Sequence, residues 1–222
     1  MGHAQMKRAD GMALLRESLP PLQRLALTYA PTATREPLLA LLALDARLAG
    51  IVRASREPML AQLRLTWWRE QLGGGGTPAG SGDPLLEALR RWPGPAQVLA
   101  TLADGWEALT GPAPLPPEAF LSLAEARAAA FAALADSPHA LRMARNWALA
   151  DIAAHLADPR EQGAALELAR AQDWRQSGLP RGLRPLAVLH RLAAQTIWRD
   201  TPGAGPTRAA LLGAMRIGLI GR

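Results

Sequence analysis

Residues 38–52 read LLALLALDARLAGIV, and residues 57–72 read EPMLAQLRLTWWREQL. In the first stretch Leu38, Leu41, Leu42, Asp45, Leu48 and Val52 recur at steps of three and four, the period of one helix face. In the second, Leu60, Leu63, Trp67 and Gln71 do the same. Alternating strand patterns with β-branched residues are missing, and alanine, leucine and arginine, all strong helix formers, dominate the chain. The fold class is therefore expected to be all-α.

Helix starts share one grammar. Thr34-Arg35-Glu36-Pro37 and Ser55-Arg56-Glu57-Pro58 each offer a hydroxyl cap, a glutamate for the positive helix end, and a proline where no backbone donor is required. Asp83-Pro84, Ser137-Pro138 and Asp158-Pro159 are shorter versions. Further helical segments fall near 20–30, 95–110, 117–135, 184–200 and 206–219, so about nine or ten helices are expected. Punctuation falls at 73–82, 111–117, 177–185 and 201–206. None of these breaks reads as a domain boundary, and 222 residues suit one domain. Residues 1–19 are open to flexibility. Residues 73–82, which begin with four glycines followed by Thr77-Pro78, read as a surface linker and not as a phosphate-binding loop.

The chain has no cysteine, which removes disulfides, thiol nucleophiles and cysteine metal sites. Net charge is +6, with 24 of the 25 basic residues arginine. That bias looks like GC-rich coding, and the arginines are scattered, so nucleic acid is not an expected partner. The longest uncharged apolar run ends at Leu44, far short of the roughly 20 residues a membrane span needs. The N-terminus lacks the apolar stretch of a secretory signal. The expected location is cytoplasmic, with room for contact at the periphery of the inner membrane.

The four histidines form no metal-binding spacing. Asp151 and His155 stand four apart on an expected helix and read as a local polar pair. Among all carboxylates only Asp83 and Glu87 are spaced i, i+4, and they suit a cap and a first-turn charge better than a metal site.

Leu63-Arg64-Leu65-Thr66-Trp67-Trp68-Arg69-Glu70, together with Tyr29-Ala30-Pro31, Arg35 and Asp45-Ala46-Arg47-Leu48-Ala49, resembles the squalene/phytoene synthase family. The likeness is closest to its divergent branch, which includes a mitochondrial complex I assembly factor. It is good over 22–72 and weaker over 163–222, and the middle agrees in helical character. The resemblance implies a single isoprenoid-synthase-like helical bundle around a prenyl cavity. It also implies two DxxxD motifs holding magnesium against prenyl diphosphates.

The chain departs from that pattern. Counted without gaps from Arg35, the first motif falls on Ala49 and Arg53, and an arginine repels Mg²⁺. The second region offers Asp173 alone. The resemblance then implies a non-catalytic binding or assembly factor with no cofactor. Its partners would be a prenyl diphosphate or lipid and a membrane-associated protein. The alternative is an active prenyltransferase with rearranged ligands, using Mg²⁺ with Asp45 and Asp173 as catalytic residues. Arg35, Arg53, Arg56 and Arg64 are candidates for clamping a diphosphate or lipid head group. Arg69 reads either as a salt-bridge residue or as part of a retained family groove. Trp67 reads as core and Trp68 as a half-buried shield for Arg64, or both as lining a lipid cavity or forming a partner hot spot. Trp92, Trp106, Trp147, Trp174 and Trp198 are expected as core anchors.

Overall fold

The structure, a computed structural model, describes residues 2–55, 57–73, 82–135, 137–198 and 207–220. Within them the chain is all-α. The helices are α1 (Gly2–Ser18), α2 (Pro21–Leu27), α3 (Thr32–Ala54), α4 (Pro58–Gly73), α5 (Pro84–Leu89), α6 (Ala96–Glu107), α7 (Pro117–Ala132), α8 (Pro138–His155), α9 (Pro159–Arg170), α10 (Arg184–Thr196) and α11 (Arg208–Ile220). Arg56 and most of the expected 73–82 linker lie outside the described residues. Residues 2–18, left open to flexibility by the sequence, carry α1, whose Leu15 is buried.

Helix α3 is the centre. Residues 38–45 are all buried, a helix surrounded on every side for two turns. Around it, α4 packs on α6, α6 on α7, α7 on α8, α8 on α9 and α10, and α10 on α11 and α2. One connected apolar core runs from Leu15 to Ile217. Two glycines allow close crossings. A Cβ at Gly105 of α6 would stand 3.0 Å from the Leu123 Cα of α7. One at Gly218 of α11 would run into the Tyr29 ring.

The start signals divide by chemistry. Asp83 accepts from the Leu85 N–H, and Asp158 accepts from the Arg160 and Glu161 N–H groups, as expected of caps. The hydroxyls of the expected start signals do not cap, although Thr207 Oγ1 accepts from the Ala210 N–H at the start of α11. Helix α3 begins at Thr32, ahead of the expected Thr34 cap, and Thr34 Oγ1 donates back to the carbonyls of Pro31 and Gly182. Ser55 Oγ donates to the Ile51 carbonyl and so closes α3 rather than opening α4. Ser137 makes no side-chain cap bond.

Helix α4 reverses the expected face. Its buried residues are Ala61, Leu65, Trp68 and Leu72, which pack toward α6, while Leu60, Leu63 and Trp67 are exposed. Trp68 is therefore the core tryptophan, and Trp67, 45 % exposed, stands edge-on to it with ring centroids 5.3 Å apart. Trp106 and Trp147 are buried, Trp92 and Trp174 are half-buried, and Trp198 is exposed rather than a core anchor.

Candidate functional site

Asp45 lies on the buried face of α3, and donors from two other helices converge on it. Its Oδ1 accepts from Trp106 Nε1 of α6 at 2.8 Å and from Arg127 Nε of α7 at 3.0 Å. Its Oδ2 pairs with Arg127 Nη2 at 2.9 Å. Arg127 Nη1 then donates to Asp151 Oδ2 of α8 at 2.9 Å. The Arg127 side chain is 4 % exposed. Its guanidinium lies 5.0 Å from the ring centre of Trp106 and 5.3 Å from that of Trp147. Trp147 is braced edge-on by Phe131. Alanines at 124, 126, 128 and 130 are all buried, and their small side chains let α6 and α8 close around the arginine.

Burial alone would lower the Arg127 pKa, because it penalises the charged form. The charges and hydrogen bonds of Asp45 and Asp151 outweigh that, and the net shift is upward. A buried cation of this kind costs several kcal/mol to desolvate and is tolerated only with its partners in place.

The cluster forms the floor of a cavity of about 310 Å³. Asp45, Ala49 and Arg53, one turn apart on α3, all line it. Gln23 enters from α2, Leu115 from the loop before α7, Ile152 and His155 from α8, and Glu161 from α9. Glu161 Oε1 accepts from the Leu115 N–H at 2.7 Å. His155 Nδ1 bonds the Asp151 carbonyl at 2.7 Å and stands 3.6 Å from Asp151 Oδ1. The Asp151–His155 pair is thus local, as expected, but Asp151 also completes a buried ionic triad.

The other candidate residues are dispersed. Arg35 lines a separate groove beside α1, and its Nη2 donates to the Ala30 carbonyl. Arg64 lines a shallow groove with Arg47 between α1 and α3. Arg69 pairs with Asp104 and Glu107 of α6 at 3.2 and 3.3 Å. Trp68 packs in the core beneath the Arg47 guanidinium. Asp173 lies outside the cavity, where hydrogen bonds from Arg175 hold its carboxyl below the usual range. Of the expected site residues among those described, the cavity gathers only Asp45 and Arg53.

Arg127 was missed, although its sequence context carries a signal. A charge flanked by alanine on a helix with no polar neighbour at 124, 126, 128 or 130 is a charge heading for burial, and burial demands a partner.

A magnesium ion between these helices would need carboxylate oxygens with free lone pairs. Both Asp45 oxygens and one Asp151 oxygen are committed to Arg127, whose guanidinium fills the space between the carboxylates. Among the described residues no group of three or more metal-type side chains converges elsewhere. The donor set does not fit the ion.

Within the described residues, an all-α bundle whose central helix carries a buried aspartate at a cavity walled by α2, α6, α7, α8 and α9 is consistent with an isoprenoid-synthase-like architecture. The squalene/phytoene synthase family model matches residues 24–158, more than half of the chain, and the protein belongs to that family. The match takes in the helices α5 to α8, where the sequence resemblance was only helical character, and stops before the weaker 163–222 stretch. No curated protein and no solved structure matches the chain.

Proposed function

We propose that this squalene/phytoene-synthase-like protein is non-catalytic and acts as a binding or assembly factor whose cavity holds an isoprenoid or lipid. One observation carries this reading. Arg127 lies between the facing carboxylates of Asp45 and Asp151 and takes up the oxygens that a divalent ion, of the kind condensation chemistry needs, would require. A fixed guanidinium already paired with two aspartates cannot follow a departing diphosphate, and electrostatic support for that departure is usually the largest catalytic contribution. The likeness to the assembly-factor branch agrees with this.

A second observation supports contact with a membrane-associated partner at the inner membrane periphery. Met59, Leu60, Leu63 and Trp67 form an outward apolar stripe on α4 beside the exposed Arg64, the composition of an interfacial helix. No helix among the described residues is long and apolar enough to cross a membrane.

The deciding assay incubates the full chain with radiolabelled farnesyl or geranylgeranyl diphosphate and Mg²⁺ and separates the organic extract. The expected result is no condensation product above a protein-free control. A head-to-head C30 or C40 product that vanishes in Asp45→Ala overturns the reading.

A further inference from the structure

The polar groups of the cavity divide into those already spent and those still open. Arg127 has Nε and Nη2 on Asp45 and Nη1 on Asp151, so its forks are turned to the aspartates and not to a ligand. What remains open at depth is three acceptors beside two Arg127 N–H groups and the Gln23 amide nitrogen, with the exposed His155 and Arg53 at the rim. Asp151 Oδ1 has only His155 Nδ1 at 3.6 Å, beyond hydrogen-bond distance. Glu161 is 7 % exposed and spends one oxygen on Leu115, leaving the other. Gln23 is 6 % exposed, lines the same cavity, and its Oε1 is buried without a hydrogen-bond partner. A buried acceptor left unmatched, as Gln23 Oε1 is, is costly and gains most from a charged N–H donor.

Charge points the same way. Asp45, Asp151 and Glu161 line the cavity against Arg127 and Arg53, and Arg53 is exposed at the rim. The interior side therefore carries more carboxylates than cations. A diphosphate would meet three carboxylates, against the two N–H groups of Arg127 not bonded to the aspartates and the Gln23 amide nitrogen as donors at depth. The remaining lining is apolar and includes Val52, Leu109, Ile152 and Leu156. The volume of about 310 Å³ is at the small end of ligand pockets, which run from about 300 to 1,000 Å³.

We infer that the cavity takes a small amphiphilic cation, an ammonium head on a short apolar body, with the head among Gln23, Asp151 and Glu161. This rests on the reading of the cavity as a binding site and names its ligand class. The sign of the head group is opposite to that of a prenyl diphosphate.

The test uses three ligands with one tail: geranylamine, geraniol and geranyl diphosphate. Each is titrated calorimetrically into the full wild-type chain at pH 7 without added metal. At that pH the amine is protonated. The expected order is amine tightest, by roughly tenfold over the alcohol, the value of one charge-assisted contact, with the diphosphate weakest. Glu161→Gln keeps an acceptor for Leu115 and should cut amine affinity severalfold while leaving geraniol unchanged. Equal binding of amine and alcohol, tighter binding of the diphosphate, or binding of none of the three overturns the inference. Because the ligand order in the wild type is itself a readout, failure of a variant to fold does not protect it. Turnover of prenyl diphosphates with the amine order preserved would sink the non-catalytic reading alone.

Discussion

On one face of α8, Asp151 meets the guanidinium of Arg127; on another, Asn146 meets His190 of α10. Asn146 Nδ2 donates to His190 Nε2 at 3.4 Å and to the Asp173 carbonyl at 2.7 Å. His190 Nδ1 is 3.1 Å from Gln176 Oε1, and Trp174 stacks on the imidazole with centroids 5.0 Å apart. Both clusters are buried and polar, yet they solve desolvation differently. The Arg127 cluster keeps full charges and matches them with each other. The His190 cluster discards charge: burial first, then the nearby Arg142 and Arg191, push the imidazole down to about 4. In its neutral form Nδ1–H donates to Gln176 while Nε2 accepts from Asn146. Helix α8 thus ties the cavity with ion pairs and ties the 171–178 segment with neutral hydrogen bonds.

The strongest way to break this contrast is Arg127→Met. It leaves Asp45 and Asp151 buried without their cation, and should cost about 3–5 kcal/mol in guanidinium denaturation. Pairing it with Asp45→Leu should recover part of the loss, because the uncompensated charge goes too. If Arg127→Met unfolds at the wild-type midpoint, the triad is not holding the helices.

Acidification separates the two clusters next. The unfolded chain protonates His190 near pH 6.5, whereas the folded chain does so only near 4. Between those values the unfolded state binds more protons, so the His190 contribution is full above 6.5 and drains away as pH falls toward 4. The loss is on the order of 3 kcal/mol. His190→Gln should flatten that part of the stability–pH curve; an unchanged slope would refute the assignment.

The smallest effect sharpens the boundary. Asp158→Ala removes the cap of α9, the helix that brings Glu161 to the cavity, and should cost about 1 kcal/mol. The pH step of His190 should survive it intact. Its disappearance would mean the two sides of α8 are coupled.

The helices were legible because their apolar period and their aspartate caps are local properties. Asp83 and Asp158 cap as read, since a carboxylate beside a proline start has few competing uses. Thr34 and Ser55 did not, because a hydroxyl can equally donate to a preceding carbonyl. The face of α4 was misread for a different reason. Leu60-Leu63-Trp67 and Leu65-Trp68-Leu72 are both apolar stripes, and only the position of α6 selects the second. In the site, Asp45 stood out as the lone acid of the leucine-rich 38–52 stretch. Arg127 was lost among 24 arginines, because its partners lie 82 and 24 residues away. A cluster assembled from three helices leaves no spacing to find.

The tethering of Arg127 has a consequence for how the cavity comes into being. Its central positive charge is inherited with the polypeptide instead of being drawn from solution, so the pairing with Asp45 is present at the same stoichiometry in every folded copy. No chelator can strip it, and no scarcity of divalent ions can leave it half-filled.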